Sequence, residues 1–195
     1  MRYDPEHKQR THRKVVMAAA KAIRQYGPDK IGVATLMSKA GLTHGGFYAH
    51  FKSKDALLVE AIDYMFEERM AALHKVIANA DPVKGMGDYI DLYLSPLHRD
   101  RRDKGCPAVA LSGDVARMTP AARQRFEVGI QMMIAEIAGT LRRLAQPEPE
   151  VLAASILFEM VGAMAIVRGI ADDERSTRML DEARRSVRQR AGLPG

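Results

Sequence analysis

Apolar residues recur three and four positions apart along the whole chain, and no sustained apolar–polar alternation and no Asn-Gly or Asp-Gly hairpin interrupts them. That pattern points to an all-α fold. Val15, Ala19, Ala22, Ile23 and Tyr26 share one face of a first helix, which Gly27-Pro28 stops. Val33, Leu36, Met37 and Ala40 mark a short second helix ended by Gly41, and a third short segment runs from Thr43 to about Phe51. Ser53 is suited to cap a fourth helix, with Asp55 in its first turn and Leu57, Leu58, Ala61, Ile62, Met65 and Met70 on its apolar face.

Downstream, proline sets the punctuation. Asp81-Pro82 opens a fifth helix, and Ser95-Pro96 breaks it. The residues from His98 to Lys104 read only as a charged stretch. Cys106-Pro107 starts a short sixth helix through Met118, and Thr119-Pro120 caps a long seventh that continues to about Ala145. An eighth, from Val151 to about Ile170, is nearly all apolar, and a ninth follows from Ser176. The expectation is therefore about nine helices.

Composition narrows the class. The chain has 195 residues, 47% hydrophobic and 28% charged, which excludes intrinsic disorder and fits one domain or two small ones. No apolar run is expected to reach the roughly 18–20 residues of a membrane span, and residues 1–14 lack the apolar segment of a secretory signal. A single cysteine fits a reducing compartment. A cytoplasmic protein with no membrane partner is expected.

The net charge of +6 is unevenly placed. Through Lys54 there are eleven Lys and Arg against three Asp and Glu; beyond it, nineteen against twenty-one. All the basic excess lies in the first quarter, as for a chain with a polyanion partner at one end.

The second helix, the Gly41-Leu42 turn and the third segment form a helix-turn-helix pattern, whose second helix enters the major groove. That segment reads Thr43-His-Gly-Gly-Phe-Tyr-Ala-His-Phe51. Phe47 and Phe51, four apart, share a face and point inward. Thr43, His44, Gly45, Tyr48, Ala49 and His50 are left outside. Each of the two glycines costs a helix about 1 kcal/mol relative to alanine, so close approach of backbone to a groove is a candidate compensation.

The stretch from Val33 to Leu57, VATLMSKAGLTHGGFYAHFKSKDAL, resembles the DNA-binding signature of the TetR/AcrR transcriptional regulators along its whole length. The resemblance implies a helix-turn-helix domain over residues 1–54 and a ligand-sensing and dimerisation domain over 55–195. It places Thr35, Thr43, Tyr48, His50, Lys52 and Lys54 at backbone-phosphate positions, and His44 and Gly45 at base edges of a double-stranded operator. Thr, Tyr and Lys side chains are ordinary phosphate partners. Arg2, Lys8, Arg10, Arg13 and Lys14 could add contacts from the arm. The resemblance also implies a homodimer through the last two helices, and the eighth helix, apolar all round, needs a partner for one face. Two-fold symmetry then implies a palindromic operator.

For signal reception, the resemblance implies a pocket lined by Met86, Tyr89, Tyr93, Leu97, Phe126, Met133, Met160 and Met164, taking a small organic inducer without high charge. Methionine suits adaptable pockets but also fills cores. Cys106 is a second candidate sensor, because a helix start and nearby Arg99, Arg101, Arg102 and Lys104 favour a thiolate. The segment from Gly105 to Val115 resembles one found in family members that respond through that thiol. No catalytic motif, metal-ligand spacing or cofactor signature is present, so neither an enzyme nor a metal or cofactor is expected. The alternative reading is an architectural DNA-binding protein without ligand control, which would bind DNA without sequence preference and with a steep salt slope.

Overall fold

The computed structural model describes residues 5–39, 41 and 43–194, with only the backbone of Pro5, Lys39 and His44. Arg2, Ala40 and Leu42 lie outside the described residues. Within them the chain forms nine α-helices, three 3₁₀ segments and no strand. The helices are α1 (Pro5–Tyr26), α2 (Val33–Lys39), α3 (Lys54–Ile77), α4 (Pro82–Tyr93), α5 (Pro96–Asp100), α6 (Pro107–Leu111), α7 (Pro120–Arg143), α8 (Pro149–Val167) and α9 (Asp173–Arg190). The 3₁₀ segments are His44–Ala49, Arg102–Lys104 and Val115–Arg117.

Their ends follow the caps in the sequence. The Ser53 hydroxyl accepts from Ala56 N–H at 3.1 Å, the Asp81 carboxylate from Val83 N–H at 2.9 Å, and the Thr119 hydroxyl from Ala122 N–H at 3.4 Å. Gly27 and Gly41 close α1 and α2 with φ of 84° and 75°, the left-handed conformation that favours glycine.

Three elements differ from the sequence expectation. The segment after Thr43 is 3₁₀, not α, because two adjacent glycines weaken a regular helix in so short a piece. Ser95-Pro96 starts a helix as well as ending one: the Ser95 hydroxyl accepts from His98 N–H at 3.2 Å, and the charged stretch becomes α5 and a 3₁₀ turn. The sixth helix stops at Leu111, where Ser112-Gly113 interrupts it, and resumes as 3₁₀ over Val115–Arg117.

A further correction concerns α8. Its 19 residues are long and apolar enough to cross a membrane by composition alone, against the expectation that no run would be. Val, Leu and Ile supply most of that apolar character. Ile156, Leu157, Met160, Met164 and Val167 are buried in the chain's own core. Val151, Phe158 and Ile166 are exposed on the other side.

The long helix α3 organises the rest. It packs against α1 at its N-terminal part and against α7 and α4 beyond, while α8 lies between α7 and α9. Leu57, Ala61, Ile62, Met65, Phe66, Leu73 and Ile77 form its buried face. Arg24 on α1 is also buried; its guanidinium donates to Glu68 Oε2 at 2.7 Å and to the Met65 carbonyl at 3.1 Å, fixing α1 on α3.

Candidate nucleic-acid interface and interior cluster

The N-terminal three-helix unit sorts its residues by face. Phe47 and Phe51 are 1% and 2% exposed, 5.5 Å apart between ring centres, and close the small core with Met37, Val15 and Ala19. His12 on α1 stacks on Phe51 at 4.3 Å and bonds to Glu60 on α3. The 3₁₀ segment is thus held from behind by aromatic packing.

Its outer face is free. Tyr48 is 71% exposed, its ring edge-on to Phe47 at 5.3 Å. Thr43, Gly45, Lys52 and Lys54 are exposed, as is Thr35 on α2; His50 is half-buried. Burial lowers the His50 pKa, with His12 and Lys8 adding repulsion, so the imidazole is neutral at pH 7. It can then accept as well as donate a hydrogen bond. Lys8, Arg13 and Lys14 along α1 are exposed, whereas Arg10 pairs with Glu6 at 3.3 Å. Hydroxyls, a phenol and ammonium groups around a short helical segment form a surface suited to phosphate oxygens. The His44 side chain lies outside the described residues.

The family described as "Bacterial regulatory proteins, tetR family" matches residues 15–61, the stretch from α1 into α3. The likeness to that family is thus carried by this N-terminal stretch. An HTH-type transcriptional regulator of Bacillus subtilis (strain 168), YvdT, is 38% identical over 47 residues, which is 24% of this chain and 24% of that protein. Solved structures share the whole fold. NemR of E. coli, in its reduced form, has a TM-score of 0.80 at 20% identity, covering 92% of this chain and 97% of that one. A TetR-family regulator from Cytophaga hutchinsonii has a TM-score of 0.80 at 17% identity, covering 97% and 96%. The matched stretch spans the helix-turn-helix that the sequence pattern located.

The residues expected to line a sensor pocket lie inside the C-terminal body. Met86, Tyr89, Tyr93, Met133, Met160 and Met164 are at most 1% exposed. Phe126 is partly buried, edge-on to Phe66 at 5.9 Å. Two surface cavities of about 440 and 390 Å³ are lined by other residues. Leu97, by contrast, is exposed.

Cys106 is fully buried, just ahead of α6. Two of the four nearby basic residues are also engaged elsewhere. Arg99 binds Asp100 and the Ser176 hydroxyl, and Arg102 donates to the Arg168 carbonyl at 3.2 Å. The thiol instead faces the Tyr93 hydroxyl.

Around it lies a polar cluster that sequence reasoning missed in part. Cys106 N–H donates to His98 Nε2 at 3.0 Å, and His98 Nδ1 donates to the Tyr93 carbonyl at 2.7 Å. Burial, then the Arg69 charge, lowers the His98 pKa to about 4, so this ring is neutral and its tautomer is set by those bonds. The Arg69 guanidinium lies over Tyr93 at 4.8 Å and Tyr89 at 5.6 Å. Burial pushes the Tyr89 hydroxyl up to about 12 and that of Tyr93 well above its usual value. Both are neutral donors. The signal for Arg69 was present in the sequence: it falls four residues from both Met65 and Leu73, in register with a buried face.

Among the described residues, no group of three or more His, Cys, Asp or Glu could hold a metal.

Proposed function

We propose that this chain is a cytoplasmic homodimeric repressor that occupies a palindromic operator and leaves it when a small organic inducer binds or Cys106 is modified. The observation that carries the reading is the division of the His44–Ala49 segment, with Phe47 buried and Thr43 and Tyr48 presented outward. The basic excess of the first quarter supports it. We assign Thr35, Thr43, Tyr48, His50, Lys52 and Lys54 to the DNA backbone, and His44 and Gly45 to base edges.

The second copy covers α8. Val151, Ser155, Phe158, Ala165 and Ile166 follow one exposed stripe at three- and four-residue spacing, opposite the face buried in the core. Gly162 lies in that stripe, and a side chain there would meet open space. A self-complementary apolar stripe on the outer helices gives a two-fold dimer, and a dimer fixes half-site spacing. An inducer acts by binding more tightly to a state with different spacing.

A gel-shift titration with the DNA upstream of the chain's own gene tests this, with and without methyl methanethiosulfonate and then dithiothreitol. The reagent caps the thiol as a mixed disulfide, with methanesulfinate leaving and the proton passing to solvent. A competitor-resistant shift, lost on capping and restored by reduction, is expected if Cys106 is the switch. A shift that survives capping assigns the signal to the ligand pocket. Binding with a steep salt slope and no sequence preference on any genomic fragment overturns the repressor reading. Tyr48→Phe should weaken operator binding severalfold without unfolding the dimer; unchanged affinity removes Tyr48 from the phosphate contacts.

A further inference from the structure

Arg69 is a cation held inside the body without an acid. Its Nε is sealed from solvent and has no hydrogen-bond partner. No ion pair joins it to a carboxylate among the described residues; its charge rests on the faces of Tyr93 and Tyr89. The hydroxyls of those two tyrosines, on side chains 0% and 1% exposed, make no hydrogen bond of ordinary geometry either, that of Tyr93 facing only the Cys106 thiol. The Tyr89 hydroxyl feels the guanidinium but makes no bond of ordinary geometry to it. Native interiors leave few such groups, and three together mark a place where an ion or ligand belongs.

A cavity of about 180 Å³ reaches Arg69. Arg69, Leu92, Leu97, His98, Arg101 and Lys104 line it. No acid is among them. Arg101 and Lys104 are exposed at the mouth. Leu92 and Leu97, 47% and 58% exposed, give it an apolar wall. A second cavity of about 210 Å³ shares Arg69 and Lys104. Its one carboxylate, Glu68, is taken up by Arg24 at 2.7 Å and Tyr64 at 3.0 Å.

We propose that the Arg69 cavity binds a small organic monoanion, a carboxylate on a short apolar body. Arg69 is its buried counter-ion, Arg101 and Lys104 draw it in, and Leu92 and Leu97 cover its tail. One interior guanidinium offers a fork of donors matched to one carboxylate. The volume lies below the roughly 300–1,000 Å³ of sites for larger ligands, so the acid is small. The site also touches the DNA-binding unit. Lys104 lies in the 3₁₀ turn that carries Asp103, and Asp103 pairs with Lys21 of α1 at 3.6 Å. A ligand that engages Lys104 therefore acts on the turn that packs against α1. That consequence rests on the repressor reading; the binding does not.

Calorimetric titration of the full chain with hexanoate tests it, with hexanamide as the neutral isostere. Saturable hexanoate binding is expected, with none for hexanamide. Arg69→Met should lower the affinity at least about 30-fold. Lys104→Gln, at an exposed position that does not threaten folding, should lower it about two- to threefold. If Arg69→Met unfolds, Lys104→Gln and the contrast between hexanoate and hexanamide still decide. Equal binding of acid and amide, or no heat from millimolar hexanoate, overturns the site. Hexanoate that binds but leaves operator affinity unchanged upholds the site and removes it as the inducer's.

Discussion

The two ends of α3 serve opposite kinds of chemistry. At its start, the helix-turn-helix unit keeps a small apolar core and turns its polar groups outward, with Tyr48 71% exposed over a buried Phe47. Further along, the body turns polar groups inward: Tyr89, Tyr93 and Cys106 are buried, with Arg69 and His98 half-buried against them. Outward polar groups cost the free protein little and are available to a partner. Inward ones cost stability unless paired, so they persist where something else holds them or arrives to complete them.

The largest effect should come from the core of the head. Phe47→Ala should cost about 3–5 kcal/mol in urea denaturation, because a fully buried ring leaves a cavity behind the 3₁₀ segment. Tyr48→Ala, one residue on, should stay within about 0.5 kcal/mol. Similar costs for both would break the division between the two faces.

The body should respond instead to acid. The His98 pKa lies at about 4 in the folded chain, against 6.5 for an ordinary histidine. The unfolded chain therefore takes up a proton that the folded chain refuses, and stability falls as pH drops from about 6.5 towards 4. The loss amounts to roughly 3 kcal/mol. His50 has the same sign, with a smaller share because it is only half-buried. His98→Gln should remove most of that slope in thermal melts taken across the window. If wild type and variant fall in parallel, His98 is not the buried neutral base described.

The same contrast explains what the sequence revealed. The head was legible because spacing separates its faces: Phe47 and Phe51 fix the inward face by spacing alone, and Thr43, Gly45 and Tyr48 are left outside. Ser53, Asp81 and Thr119 marked their helices because a cap is a local interaction. The body was less legible. Met86, Tyr89 and Met160 are residue types that fill cores and line pockets alike, and spacing does not separate the two. Burial of Cys106 depends on α4 and α5 folding over it, which no local signal encodes. Arg69 was overlooked because a lone basic residue on a long helix reads as solvated unless its register with Met65 and Leu73 is counted.

Packing in the body also leaves no slack where α3 crosses α7. A methyl group at Gly129 would come within 2.3 Å of the Phe66 ring. Gly129→Ala should therefore cost about 1–3 kcal/mol, read as a lower urea midpoint with an unchanged m-value. No loss would mean that the α3–α7 contact is looser than a packed core.

The smallest effect on stability belongs to the head, and it sharpens the comparison most. Gly45 is exposed, has no left-handed φ, and an added methyl there would meet nothing within 4 Å. The protein's own packing does not require glycine at this position. Gly45→Ala should therefore raise stability by about 0.4–1 kcal/mol, since alanine restricts the unfolded chain more than glycine does. At Gly129 the glycine answers to a neighbouring ring; on the proposed assignment of Gly45 to base edges, the neighbour that excludes a methyl there is the groove of bound DNA. The expected signature is a variant that melts higher and binds its operator more weakly, read by urea denaturation and by gel shift on one preparation. If affinity holds while stability rises, the backbone at Gly45 does not approach the bases, and specificity passes to His44 and the shape of the DNA.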